Sequence, residues 1–333
     1  MTLKVALLGG GSWGTTVASL VARSNPTTLW ARSPKTVDEI NNHHTNSKYL
    51  GDAKLSAKLK ASSDLKAIAK EADILIVAVP SHGFRDILQQ VAPFLRAWVP
   101  VISLTKGLER TTNKRMTEIV AEVLPGHPYG VLSGPNLAAE IMAGQAAATV
   151  LAMEDEAVVQ KLQSVFSNGV FRVYTNHDVI GCELGGVLKN VIAIAVGIGD
   201  GLGAGDNTRA ALITRGLSEV TRLGVALGGR PETFAGLAGM GDMIATCTST
   251  KSRNRSVGFA LGQGKSLPCI IEEMVMVAEG VKSVGAVLEL AQRCDVPMPI
   301  TQFVYNVVVD GGSAKEAFRN IIRVEAGAES EPG

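Results

Sequence analysis

Cysteine is scarce in this 333-residue chain: Cys182, Cys247, Cys269 and Cys294 stand far apart and form no Cys-x-x-Cys pair. That spacing argues against a disulfide-stapled scaffold or a cysteine zinc site and fits reduced thiols. The five histidines, His43, His44, His82, His127 and His177, show no His-Glu-x-x-His or comparable ligand spacing, so no metal is expected. An excess of one charge is missing too. Lys and Arg total 32 against 31 Asp and Glu, a formal net charge of +1, which leaves no electrostatic footprint for nucleic acid or an anionic membrane. A single cleft can still be basic, so a small anionic substrate stays compatible. No apolar run approaches the ~18 residues of a membrane span; the longest candidate, 191–199, reads as a buried helix segment. The first apolar run, Val5 to Leu8, is far too short for the core of a signal peptide. The expectation is a soluble, cytoplasmic protein without membrane insertion, partnered by a small molecule and by no nucleic acid.

The first half alternates short β-rich runs with helical stretches, the pattern of an α/β, Rossmann-like doubly wound parallel sheet. Strands are expected at 4–8, 27–30, 74–79, 99–104, 130–132, 149–152 and 171–174, several of them apolar throughout, as strands buried on both faces should be. Gly, Pro and Ser cluster after four of them, at 9–11, 80–81, 106–107 and 133–135. Ligands in such sheets bind beyond the carboxyl ends of the strands, so these loops are where a cofactor is expected. After about residue 178 helical periodicity takes over, with helices expected near 179–197, 207–227, 253–262, 281–293 and 300–309. The division is therefore a dinucleotide-binding domain over 1–178 and an all-α domain over 179–333, with a frayed tail over 325–333.

The sharpest local signal is Gly9-Gly10-Gly11-Ser12-Trp13-Gly14, between a strand and a helix. Gly9 allows the tight turn, Gly11 lets a pyrophosphate approach the backbone, and Gly14 permits close helix–sheet packing, with helix amides facing the negative charge. The end of the second strand reads Leu29-Trp30-Ala31-Arg32-Ser33, without the carboxylate that would bind a ribose 2′-hydroxyl. Arg32 can pair with a 2′-phosphate, which favours NADPH over NADH; a solvated surface arginine is the alternative. Lys106, before Gly107, sits at a strand's carboxyl end and points to the cleft, unless it is an ordinary surface lysine. Lys189 is the one charged residue between Leu184 and Gly199. A lone buried ammonium is costly, so it needs a partner, a shifted pKa or a ligand, or else it snorkels to solvent. Helical spacing puts Cys182, Gly185, Gly186 and Lys189 on one face, where the small residues leave room beside the amine. Lys189 is thus the candidate general acid/base for hydride transfer. Asp242, after Gly239-Met240-Gly241, caps a helix or orients a substrate hydroxyl and that lysine. Ser252, Arg253 and Asn254 begin a helix, which makes either a phosphate site or an ordinary N-cap. Glu279 reaches the nicotinamide side or simply starts its helix.

Together these segments resemble the NAD(P)-dependent glycerol-3-phosphate dehydrogenases of bacterial type. The resemblance runs from Gly9 to Gly14 through Pro80-Ser81-His82, Thr105 to Glu109, Ser133-Gly134-Pro135, Gly185 to Ala193, Gly239 to Asp242, Thr246-Cys247-Thr248 and Ser252 to Arg255, and ends at Val277 to Gly280. It implies reversible reduction of dihydroxyacetone phosphate to sn-glycerol 3-phosphate, feeding phospholipid synthesis. It further implies that Lys189 is the proton donor, that Lys106 touches cofactor and substrate, and that Asp242 supports the reacting oxygens. Ser252, Arg253 and Asn254 would hold the substrate end, Arg253 also reaching the cofactor, while Gly134 and Asn136 line the substrate pocket. Ser12, Trp13, Arg32, Tyr49, Ala138, Val277 and Glu279 fall on the cofactor side. The chain departs from the bacterial pattern at Asn136, where Ser or Thr is usual, and after Tyr49-Leu50, where Gly51 replaces a proline-containing continuation. Two other readings compete: a β-hydroxyacid dehydrogenase of similar build, and a non-catalytic NAD(P)-sensing protein. The apolar helical half favours a homodimer.

Overall fold

Strands that are apolar at every position need cover on both faces. The computed structural model describes residues 2–274 and 278–322, and these cluster into two compact units that part between Val179 and Ile180. The strands of the first unit are β1 Val5–Leu8, β2 Thr27–Trp30, β3 Lys60–Ser62, β4 Ile74–Val77, β5 Val101–Ser103, β6 Tyr129–Ser133, β7 Ala147–Met153 and β8 Phe171–Asn176. They form one eight-stranded sheet in the order β3-β2-β1-β4-β5-β6-β7-β8. Val5 and Leu7 of β1 join the core on one face with Ile74 and Ile76 of β4, while Ala6, Leu8, Leu75 and Val77 join the core on the other. The helices of this unit are α1 Ser12–Val21, α2 Pro34–Asp38, α3 Ser47–Leu50, α4 Leu65–Glu71, α5 Phe84–Val91, α6 Met116–Val123, α7 Ala138–Met142 and α8 Glu156–Phe166. Strand order reverses at β1, which lies between β2 and β4. A ligand crevice opens outside the carboxyl ends of strands at such a switch point, and the glycine loop follows β1 there.

All seven expected strands form, with ends shifted by no more than two residues. Two features differ from the sequence expectation. Lys60–Ser62 adds an edge strand beside β2, with Ala61 alone among its three residues buried; so short a strand carries no alternation to read. The sheet is also not wholly parallel, because β7 runs antiparallel to β6, pairing Gly130 with Met153 and Ser133 with Val150. The chain between them folds into the short helix α7 and turns back, so no crossover forms.

The second unit is helical throughout its described residues: α9 Val179–Gly201, α10 Asp206–Ala226, α11 Pro231–Phe234, α12 Asp242–Thr248, α13 Arg253–Gly262, α14 Leu267–Glu273, α15 Glu279–Arg293, α16 Pro299–Val308 and α17 Ala314–Ile322. A π-helical turn at Leu237–Gly241 feeds α12. The expected helices are all present, and α9 extends to Gly201. By length and composition α9 could cross a membrane, but it is mostly buried inside the protein. The tail expected at 325–333 lies outside the described residues.

Glu219 of α10, 1% exposed, accepts hydrogen bonds from the backbone N–H groups of Ile300 at 2.6 Å and Thr301 at 3.2 Å and from the Thr301 hydroxyl at 3.2 Å. It thereby caps α16, whose Pro299 could not donate. Burial pushes its carboxyl up from 4.5 to about 7, against the opposing pull of those donors and of Arg222. The folded state thus holds this proton more tightly than the unfolded chain. Its stabilising contribution is complete below about 4.5 and is lost as pH rises through about 7, on the order of 3 kcal/mol in all. We expect Glu219→Gln to gain stability relative to wild type between about pH 5 and about pH 8 in urea melts. A stability gap that does not move with pH would rule this out.

Candidate active site

In the first unit the glycine loop is shaped by close contacts. Gly9 has φ +122°, and a Cβ there would lie 2.6 Å from the Ala78 carbonyl oxygen. A Cβ on Gly14 would lie 2.2 Å from Gly9 O, whereas one on Gly11 would meet nothing within 4 Å. Gly11 caps α1 without any side-chain hydrogen bond, an uncapped helix start that suits a pyrophosphate. Asn46 was not singled out from sequence. Buried beside the loop, it donates to Gly10 O and Thr15 Oγ1, both at 2.9 Å, and so pins the loop's path. Ser12 opens α1, and its carbonyl accepts from Thr16. The half-buried Trp13 ring packs against the core and meets Phe171 edge-on at 6.2 Å. Arg32 is exposed just past β2, Tyr49 is half-buried on α3, and Ala138 begins α7.

Lys106 is half-buried, and its Nζ donates to Gly134 O at 3.2 Å. Neighbouring Thr105 ties this loop to Val79 O at 2.7 Å. Asn136 donates through Nδ2 to Thr149 Oγ1 at 2.8 Å, and Thr149 donates to Ser133 O at 3.1 Å. The Asn136 Oδ1 atom is buried without a hydrogen-bond partner, an acceptor suited to a ligand hydroxyl. The structure thus gathers Lys106, Gly134 and Asn136 into one polar cluster.

In the second unit Lys189 is 4% exposed and does not snorkel. Its Nζ donates to Asp242 Oδ1 at 2.6 Å and also to the Thr246 hydroxyl. Asp242, 2% exposed, is the first residue of α12, so it both opens that helix and holds the amine. The room expected beside the amine at Gly185 is taken by protein: a Cβ there would lie 2.6 Å from Ala238 O. The glycine serves the approach of the π-helical turn that delivers Asp242. Cys247 lies buried nearby, its thiol pushed up to about 12 chiefly by burial, and stays protonated at neutral pH.

Ser252 caps α13, its hydroxyl accepting from Arg255 N at 3.3 Å. The helix start presents backbone N–H groups that its own ladder does not use. The Asn254 side chain donates to Asn190 Oδ1 at 2.9 Å and accepts from Gly280 N at 2.9 Å. Asn254 therefore joins α13 both to α9, at the residue next to Lys189, and to the start of α15. Arg253 is exposed; desolvation by its surroundings lowers its pKa, and Glu279 pulls it back up. Glu279, half-buried at the start of α15, is raised chiefly by burial, against Lys282 and Arg253. Val277 lies outside the described residues. Among the described residues no three His, Cys, Asp or Glu side chains gather as metal ligands.

Two family models match: the NAD-dependent glycerol-3-phosphate dehydrogenase N-terminus over residues 4–159 and the corresponding C-terminus over residues 178–319. The glycerol-3-phosphate dehydrogenase [NAD(P)+] 2 of Sphingopyxis alaskensis is 61% identical over 333 residues, covering 100% of both chains. That of Mycobacterium avium is 54% identical over 98% of this chain and 96% of its own. The crystal structure of the Coxiella burnetii glycerol-3-phosphate dehydrogenase superposes with a TM-score of 0.93 at 37% identity, over 97% of this chain and 99% of that one.

Proposed function

The chain belongs to the NAD-dependent glycerol-3-phosphate dehydrogenase family, and from that membership we propose the part each residue plays. It is an NAD(P)-dependent oxidoreductase acting on a CH–OH group, with a small phosphorylated substrate: dihydroxyacetone phosphate is reduced to sn-glycerol 3-phosphate, reversibly. When bound, the reduced dinucleotide supplies the hydride to the carbonyl carbon. Lys189 Nζ gives its proton to the carbonyl oxygen, so the developing alkoxide is neutralised as it forms. Asp242 and Thr246 hold the amine in one position, and Asp242 balances its charge. The start of α13, with Ser252, Arg253 and Asn254, takes the phosphate through backbone amides and a guanidinium. Lys106, Gly134 and Asn136 line the substrate side of the first unit, and the Gly9–Gly14 loop takes the dinucleotide's pyrophosphate.

The observation that carries this reading is the buried Lys189–Asp242 pair. Burying such a pair rarely stabilises a fold better than apolar packing does, and a positioned proton donor is a reason for it. The test is nicotinamide absorbance with purified protein, dihydroxyacetone phosphate and NADPH or NADH. Substrate-dependent loss of signal is expected. Turnover of a 3-hydroxy acid in its place would move the reading to a β-hydroxyacid dehydrogenase, and NADPH binding without turnover of either would leave a sensing protein.

Exposed Arg32 beyond β2 supports NADPH as the preferred cofactor. We expect Arg32→Glu to raise the KM for NADPH by about ten- to a hundredfold while moving that for NADH by about twofold at most. Equal losses would remove Arg32 from the 2′-phosphate. The same reading makes the protein a cytoplasmic homodimer serving glycerophospholipid synthesis, without membrane insertion. A monomer in light scattering would overturn the oligomer.

A further inference from the structure

Asp200 stands near the end of α9, its side chain 5% exposed, and its two oxygens are divided between two arginines. Oδ1 accepts from Arg209 Nε and Nη2, each at 2.9 Å, at the start of α10. Oδ2 accepts from Arg255 Nε at 2.9 Å and Nη2 at 2.6 Å, in the first turn of α13. The same two helices, α9 and α13, meet backbone to backbone. A Cβ on Gly197 would lie 2.2 Å from Arg255 O, and one on Gly201 2.3 Å from Phe259 O. From the other side, a Cβ on Gly258 would lie 2.1 Å from Ile194 O, and one on Gly262 2.4 Å from Ile198 O. The paired glycines, four residues apart on each helix, bring the axes close. A two-nitrogen arginine fork on a carboxylate adds a directional tie to the one that Asn254 makes with Asn190.

We infer that Asp200 is a positioning residue for the phosphate end of the substrate: through Arg255 it fixes the register of the α13 start against the helix that carries Lys189. Lys189 acts at one end of the substrate and Ser252, Arg253 and Asn254 hold the other, so the span between them must match a three-carbon phosphate. The glycine contacts set how near α13 lies to α9, and the Asp200–Arg255 fork, together with the Asn254–Asn190 bond, sets where along α9 it sits. Arg209 completes the carboxylate's hydrogen bonding from α10. This inference rests on reading the α13 start as the phosphate site.

The test is steady-state kinetics of full-length Asp200→Asn with dihydroxyacetone phosphate and NADPH. We expect the KM for the phosphorylated substrate to rise about tenfold or more, with kcat within about threefold and any rise in the KM for NADPH smaller. A purely structural role would lower the active fraction and the melting temperature and leave KM alone, and that result would overturn the inference, as would unaltered kinetics. Should Asp200→Asn fail to fold, Arg255→Lys keeps the charge, removes the fork and should raise the same KM, while Arg209→Gln should leave it at the wild-type value. A wild-type KM in Arg255→Lys, or an equal rise in Arg209→Gln, overturns the inference. Wild-type protein with no turnover of dihydroxyacetone phosphate would instead sink the functional reading on which it rests.

Discussion

Replacing Lys189 with methionine should lower kcat for dihydroxyacetone phosphate reduction by about a thousandfold or more, the upper range for loss of a positioned general acid. Methionine keeps the unbranched apolar stem of lysine as far as Cε and removes the amine with its proton. The dissociation constant for NADPH should stay within about twofold of wild type, because the effect falls on the chemical step. The variant has a second expected effect that must be separated from the first. Without the amine, Asp242 keeps a carboxylate that is 2% exposed and has lost the ammonium bonded to it at 2.6 Å. Breaking a buried pair from one side costs about 3–5 kcal/mol. The double variant Lys189→Met/Asp242→Asn removes both charges and should recover most of that stability without recovering turnover. Near-normal turnover in the single variant would end the proton-donor role, and activity returning with stability in the double variant would show that the loss came from the fold.

The elements legible in sequence were those whose pattern is local. β1 and β4 announce themselves as unbroken apolar runs because both faces are covered, and α13 through Ser252 at its cap. Lys189 was legible for a similar reason: one charge in a long apolar helix is a conspicuous exception. What answers that charge was harder to read. Asp242 and Thr246 lie 53 and 57 residues further along the chain, and no periodicity ties them to α9. The link from Asn190 to Asn254 spans 64 residues, and that from Asn254 to Gly280 spans 26. Gly185 looks in sequence like room for a ligand, yet the backbone of Ala238 fills it, because small residues on a helix face look alike whether they receive a substrate or another piece of chain. Asn46 gave no signal, since a buried asparagine that pins a loop through Gly10 O looks in sequence like any turn residue.

Gly14→Ala should abolish measurable dinucleotide binding and lower stability together, and Gly11→Ala should separate the two effects. The Cβ added at Gly14 would sit 2.2 Å from Gly9 O and 2.9 Å from the Ala78 Cβ, so either α1 or the loop must move. Gly9 has little freedom to yield: its own φ is +122°, and its amide is bonded to Trp30 O at 3.0 Å. Relief by displacing α1 carries the helix amides away from the pyrophosphate, so affinity should fall about a hundredfold or more, with about 1–3 kcal/mol of overpacking cost in the fold. At Gly11 the added Cβ meets no protein atom within 4 Å, so Gly11→Ala should melt like wild type. Its affinity for NADPH should nonetheless fall at least about tenfold, because the methyl group stands where the pyrophosphate comes closest to the backbone. Calorimetric titration alongside thermal melts reads both quantities. Wild-type affinity in Gly11→Ala would move the pyrophosphate away from this loop, and wild-type stability in Gly14→Ala would mean that the loop yields where its contacts say it cannot.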